Sequence, residues 1–161
     1  MERNTQKAKT ENFVVEEADK KLLTKEKLDE MYGIEEAENE NPYSKDVFQN
    51  IIFHETNKTF CCYNHNRLVG FITINTKSKK FGGCLYIVNI VVDKEYQRRG
   101  VATKLILKAI LTAKEKTQNL IVALEVDKTN LKAINLYKKL GFKFADCDEN
   151  GEQLVMIATV I

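Results

Sequence analysis

A seven-residue segment in the second half of the chain combines basic, small and glycine residues in an order that suits phosphate. It stands between a strand-like run and a helix-like run and reads Gln97, Arg98, Arg99, Gly100, Val101, Ala102 and Thr103. The first N–H groups of a helix have no intrahelical partner and lie at the positive end of the helix dipole. Glycine permits close approach, and arginines donate charge-assisted hydrogen bonds to phosphate oxygens. The segment predicts a pyrophosphate site, with a plain helix cap and solvated arginines as the alternative.

Nucleotide triphosphates and dinucleotides are disfavoured as ligands of this segment. It lacks the Gly-Lys-Ser/Thr ending of a P-loop, and the chain contains no G-x-G-x-x-G pattern. Metal chemistry is also disfavoured, because the chain has two histidines, and its four cysteines show no C-x-x-C spacing. We therefore expect no metal site and four free thiols.

Further along the chain, two side chains could transfer protons. Glu125 lies inside the otherwise apolar run 120–126, where a carboxylate is costly unless it is paired or functional. It is a candidate general base, with an inert, hydrogen-bonded glutamate as the alternative. Tyr137 shares a helical face with Ala133 and Ile134. It is either a core residue with its hydroxyl at the rim or a proton donor to a departing thiolate.

The spacing of the hydrophobic residues predicts this order of elements along the chain: a strand, helices, three strands, a helix, a strand, a helix and two strands. Thr24 and Ser44 suit N-caps, Asn130 suits an N-cap or a ligand contact, and helical spacing resumes at Val101. The predicted strands begin at Phe13 and then cover 58–63, 68–75, 85–92, 120–126, 142–147 and 154–160.

Length and composition indicate one globular domain. The chain has 161 residues, of which 43% are hydrophobic and 30% are charged, with a formal net charge of +2. This charge offers no general attraction for nucleic acid, and the apolar runs are too short to span a membrane. We expect a single cytoplasmic domain over 13–161, preceded by a disordered tail at 1–12.

Together these motifs resemble the GNAT superfamily of acyl-CoA N-acyltransferases. The segment 97–102 matches the family's pyrophosphate pattern, Q/R-x-x-G-x-G/A, directly after a strand that ends in Asn-Ile-Val-Val. Downstream, the Leu-Glu-Val around Glu125, then Asn130, then the stretch 133–142 around Tyr137 are similar to the second half of the family's cofactor site.

The resemblance implies an α/β fold with a central mixed sheet flanked by helices, in which parallel strands 85–92 and 120–126 splay apart. Acetyl-CoA, the implied co-substrate, would lie in the splay, with its pyrophosphate on 98–103. Its pantetheine would pair with the backbone of Ile90, Val91 and Val92, and a backbone N–H near Val91 or Val92 would stabilise the oxyanion. The resemblance further implies direct attack by an amine in a ternary complex, with Glu125 as base and Tyr137 as acid.

A narrower resemblance, carried by Asn41-Pro42-Tyr43-Ser44 together with the Glu125 and Tyr137 motifs, is to bacterial enzymes that acetylate the N-terminal alanine of a ribosomal protein. It implies that the acceptor is the N-terminal α-amine of a protein, such as a ribosomal protein. A small amine or polyamine is the alternative acceptor, because the four glutamates within 35–40 could form an acidic pocket. A non-catalytic CoA-binding module is the third alternative. We expect a monomer or weak dimer with no nucleic-acid or membrane partner.

Overall fold

Seven strands and four α-helices make up the computed structural model over the residues that it describes, which are 11–80, 83–115, 120–147 and 150–160. The predicted tail at 1–12 lies outside these residues except for its last two. The elements are β1 (Phe13–Glu17), α1 (Lys25–Glu38), α2 (Lys45–Phe53), β2 (Asn57–Asn64), β3 (Arg67–Asn75), β4 (Leu85–Val92), α3 (Val101–Lys114), β5 (Leu120–Asp127), α4 (Leu131–Lys139), β6 (Lys143–Cys147) and β7 (Gln153–Val160).

The helices begin where their predicted caps stand. The side chains of Thr24, Ser44 and Asn130 accept hydrogen bonds from backbone N–H groups in the first turns of α1, α2 and α4. The α3 helix follows Gly100 and has no side-chain cap. None of the described helices is long and apolar enough to cross a membrane. A short 3-10 helix, Lys94–Tyr96, was not predicted.

The strands form one mixed sheet in the order β1-β2-β3-β4-β5-β7-β6. The β4 and β5 strands run parallel, and every other neighbouring pair is antiparallel. The sheet is flanked by helices, as predicted. This arrangement confirms the predicted fold class.

Each face of the sheet carries its own hydrophobic core. On one face, α3 and α4 bury residues such as Leu105 and Ile134 in a large cluster. On the other face, α1 and α2 bury Met31 and Phe48, and the Phe48 ring packs edge-on against Phe71 of β3 at 5.8 Å. The sheet is therefore covered on both sides, which explains the near-continuous apolar sequence of its central strands.

A bulge interrupts β4 in its middle. The pairing of β3 with β4 passes from Thr73↔Asn89 to Ile74↔Ile87, so Val88 is an inserted residue. A bulge bends the strand that carries it and increases the local twist. It also changes which face the following side chains take, because the period of a strand is two.

The parallel pairing of β4 with β5 ends at this bulge. It runs from Leu85↔Val122 to Ile87↔Leu124, and the remainder of both strands diverges. The splay predicted from the resemblance is thereby confirmed. Since Val88 directly follows the last paired residue of β4, the bulge bends this strand away from β5.

Candidate active site

The gap between the diverging halves of β4 and β5 forms a cavity of about 150 Å³. Its walls come from β4, from the end of β5 and from α4. Four residues singled out by the sequence line it, namely Ile90, Glu125, Asn130 and Tyr137. The fold therefore gathers the predicted proton-transfer residues around one opening.

Glu125 is largely buried beside this cavity, with 15% of its side chain exposed. Its Oε1 accepts hydrogen bonds from the Tyr86 hydroxyl at 3.3 Å and from the Lys80 ammonium. Burial, followed by the charge of Glu125, raises the pKa of Tyr86, so this phenol stays protonated and remains a donor. The carboxylate in the apolar strand is thus paired, as a buried charge must be.

Tyr137 reaches the cavity from the opposite face of the sheet. Even-numbered residues of β5, such as Leu124 and Val126, join the core under α3 and α4, and Glu125 therefore points to the α1 and α2 side. Tyr137 belongs to the core under α3 and α4, and its ring packs on Phe142 at 5.7 Å. A ligand in the gap between the strands can contact both side chains.

Burial raises the pKa of Tyr137 to about 12. Its phenol is therefore protonated at neutral pH and is available as a hydrogen-bond or proton donor. Tyr137 is 6% exposed within the core and also lines the cavity, so its position fits a core residue whose hydroxyl lies at the rim.

The predicted pyrophosphate segment is a tight turn at the start of α3. Arg98 and Gly100 both have positive φ angles, of 61° and 81°. Since α3 has neither a side-chain cap nor an acidic residue in its first turn, its N-terminal backbone N–H groups, which include those of Val101, Ala102 and Thr103, suit an anion.

Two other members of the segment make contacts within the chain. The Arg99 guanidinium donates to Glu11 Oε1 at 2.7 Å and lies over the Tyr96 ring. The Gln97 side-chain amide donates to Glu38 Oε2 at 3.2 Å and to the Val92 carbonyl at 3.0 Å. Gln97 therefore fastens the turn to the end of β4 and to α1, while Arg98 is exposed.

Successive residues of β4 direct their backbone N–H and C=O groups alternately toward β3 and toward the gap. The backbone N–H of Asp93 donates to the Val69 carbonyl at 2.8 Å, so these two residues form a hydrogen-bonded pair of the antiparallel ladder. Val91 pairs with Phe71 two residues earlier, and its N–H and C=O therefore also bond to β3. The same alternation directs the backbone groups of Ile90 and Val92 toward the gap. Of the three residues predicted to pair with a pantetheine, Ile90 lines the cavity, Val92 points its backbone toward the gap with its carbonyl bonded to Gln97, and Val91 pairs with β3.

One of the four glutamates that the sequence analysis considered for an acidic pocket is a buried carboxylate next to this site. Glu35 of α1 has no exposed surface, and its Oε2 accepts from the Asn89 side chain at 2.8 Å. The backbone N–H of Tyr43 lies 3.5 Å from its Oε1, and the Tyr32 hydroxyl donates to the Tyr43 carbonyl at 2.9 Å. Helix α1 thus holds the loop before α2 against the bulged part of β4.

This loop places Tyr43 close to the candidate base. Burial is the first cause that raises the pKa of Tyr43, and the negative charges of Glu35 and Glu125 raise it further. The Pro42-Tyr43-Ser44 motif of the sequence analysis therefore lies on the Glu125 side of the cavity.

The sequence profile of the Acetyltransferase (GNAT) family matches residues 25–142, which include all of these site residues. The chain belongs to the acetyltransferase (GNAT) family. The family resemblance inferred from the motifs is confirmed. The matched region spans α1 through α4, so both the phosphate turn and the proton-transfer residues fall within it.

Three individual proteins illustrate the position of this chain within the GNAT family. An N-alpha-acetyltransferase of Sulfurisphaera tokodaii is 45% identical over 58 residues, which are 36% of this chain and 35% of that protein. N-alpha-acetyltransferase 30 of Dictyostelium discoideum is 30% identical over 115 residues, 71% of this chain and 62% of that protein. The match thus spans less than two thirds of either relative.

The third is a solved structure. The ribosomal-protein-S18-alanine N-acetyltransferase from Escherichia coli is similar with a TM-score of 0.75 at 22% identity, and the match covers 92% of this chain and 94% of that one. At this identity the likeness shows a shared fold.

We expect Gly100→Glu to weaken CoA binding at least about tenfold, which corresponds to ~1.4 kcal/mol. The new carboxylate would occupy the uncapped start of α3 and repel the pyrophosphate. Isothermal titration with CoA measures the effect. Gly141→Glu is the matched control, because Gly141 also has a positive φ, of 94°, but stands after the end of α4. Wild-type affinity in Gly100→Glu would mean that the phosphates bind elsewhere.

Proposed function

We propose that this chain transfers the acetyl group of acetyl-CoA to the N-terminal α-amine of a protein, by direct attack in a ternary complex. The observation that carries the proposal is the placement of Glu125 and Tyr137 on opposite sides of one gap between parallel strands. One is a carboxylate that already binds an ammonium, and the other is a protonated phenol. Acetyl transfer to an amine needs one group to take a proton and another to give one.

The first step is removal of a proton from the acceptor. A free α-amine has a pKa of about 8, so at neutral pH most of it is protonated and cannot attack. Glu125 would receive this ammonium in the place that Lys80 takes, and would then accept its proton directly or through a water. The neutral nitrogen would attack the acetyl carbonyl carbon.

The later steps use groups on the other side of the gap. The backbone N–H of Val92 points toward the gap by the alternation of β4 and is our candidate donor to the developing oxyanion. The phenol of Tyr137 would give its proton to the departing thiolate as the carbon–sulfur bond breaks. No covalent acyl-enzyme is needed, and the four cysteines, all free thiols, take no part.

The acetyl donor would lie along the gap and over the phosphate turn. Backbone groups of Ile90 and Val92 would pair with the pantetheine as an added strand would. Arg98, Gly100 and the first N–H groups of α3 would contact the pyrophosphate, and Asn130, which lines the cavity, would help to close the site. The uncapped helix start is the observation that supports this placement.

Relatives favour a protein terminus as the acceptor. Both curated relatives are named N-alpha-acetyltransferases, and the name of the E. coli enzyme specifies an alanine of a ribosomal protein. A ribosomal protein is therefore one candidate acceptor for this chain. The proposed compartment is the cytoplasm, and the free cysteines are compatible with its reducing conditions.

The contacts of the α1 glutamates disfavour a polyamine. Glu35 is buried and bound to Asn89, and Glu38 accepts hydrogen bonds from Lys94 N and from the Gln97 amide. The carboxylates of these two residues are engaged in holding the fold, which leaves the exposed Glu36 and Glu40 as the remaining members of the predicted acidic group. We therefore rank a polyamine acceptor below a protein terminus.

The test is thiol release from acetyl-CoA in the presence of a panel of N-terminal peptides and, separately, polyamines. We expect turnover with at least one peptide, and we expect Glu125→Gln to lower kcat about 10²- to 10⁴-fold, the usual contribution of a general base. The deficit should be greatest below pH 8, where the amine depends most on a base to become neutral.

Glu36→Gln is the control for this variant, because it removes the same charge from an exposed position on α1. Equal rates for Glu125→Gln and wild type across the pH range would eliminate Glu125 as the base. Turnover with polyamines and with no peptide would exclude the proposed acceptor.

We expect Tyr137→Phe to lower kcat about 10²-fold with little change in the KM for acetyl-CoA. The substitution keeps the ring that packs on Phe142, so the midpoint of thermal unfolding should stay close to that of the wild type. Because the pKa of Tyr137 is about 12, the wild-type rate should show no loss from its ionisation up to about pH 10. An unchanged kcat in the variant would assign the proton donor elsewhere.

A further inference from the structure

A lysine of the chain itself occupies the acceptor side of the site. Lys80 lies in the connection between β3 and β4, and its ammonium donates to Oε1 of Glu125, 45 residues further along the chain. The Lys80 side chain is 63% exposed, whereas that of Glu125 is 15% exposed. A largely exposed side chain thus reaches inward and places a primary amine on the candidate base.

This contact contains the same two groups as the proposed reactive complex, namely a primary ammonium and the Glu125 carboxylate. The reaction requires a primary ammonium bound to the carboxylate at the edge of the cavity, and Lys80 supplies one without any substrate. The Tyr86 hydroxyl donates to the same Oε1 at 3.3 Å and holds the carboxylate toward the amine. Proximity of this kind raises the effective concentration of the amine far above that of a free peptide.

We propose that Lys80 is an acetyl acceptor of this enzyme, modified within its own chain when acetyl-CoA fills the gap and no peptide is present. The inference rests on the proposed function. The Lys80 nitrogen gives a proton to Glu125 and forms a bond to the acetyl carbon. The carbon–sulfur bond breaks, and Tyr137 gives its proton to the thiolate. The second proton that the nitrogen loses on becoming an amide restores the phenol through solvent. The products are Nε-acetyl-Lys80 and CoA, with no oxidation or reduction.

Modification changes the site. An acetylated lysine carries no positive charge, so it cannot form the ion pair with Glu125. The carboxylate then becomes available to the ammonium of a peptide. Acetylation of Lys80 would therefore convert a chain whose base is occupied by its own lysine into one with the base open to substrate.

The experiment incubates the full chain with acetyl-CoA alone and maps acetylated lysines by mass spectrometry over time. Lys77 and Lys79 are exposed residues of the same connection and report the background of uncatalysed acetylation. We expect Lys80 to be modified at least about tenfold faster than either, at a rate independent of protein concentration. In Glu125→Gln its rate should fall to that of Lys77.

A parallel sample contains an N-terminal peptide that serves as substrate. Acetylation of the peptide in this sample, combined with a Lys80 that stays unmodified in the sample without peptide or is modified there at the same rate in Glu125→Gln as in wild type, would overturn the inference and leave the proposed function intact. A rate that rises with protein concentration would also overturn it, because it would indicate transfer between chains. If neither the peptide nor Lys80 is acetylated, both proposals fail.

Discussion

The parallel ladder between β4 and β5 stops after Ile87 and Leu124, and the site depends on that interruption. A continuous ladder would satisfy the backbone groups of both strands and would leave no opening through the sheet. The inserted residue Val88 bends β4 at the point where the ladder stops. The resulting gap exposes main-chain groups of Ile90 and joins the two faces of the sheet.

The two faces bring different chemistry to the gap. On the side of α1 and α2, the Glu125 carboxylate accepts hydrogen bonds from the Tyr86 hydroxyl and the Lys80 ammonium. On the side of α3 and α4 lies the buried phenol of Tyr137. The phosphate turn continues from the end of β4 and is fastened to it by Gln97. A thioester in the gap would therefore meet a proton acceptor on one side, a proton donor on the other and an anion site at the start of α3.

The sequence was informative where the signal is local. Helix starts at Thr24, Ser44 and Asn130 follow from side chains that cap the next turn, and a single carboxylate in an apolar strand marked Glu125. The bulge at Val88 has no such signal, because no glycine or proline marks it and its register is set by β3. Glu35 was hidden among neighbouring glutamates, and its hydrogen-bond partner Asn89 is 54 residues away. The contact of Lys80 with Glu125 likewise depends on tertiary structure.

The central claim is that the gap between β4 and β5 receives the acetyl donor beside Glu125. A crystal structure of the chain with bound CoA tests it most directly. The pantetheine should lie between Ile90 and Val92 on one side and the end of β5 on the other, with its thiol between Glu125 and Tyr137. A CoA molecule bound outside the gap, or a Glu125 side chain turned away from the thiol, would contradict it.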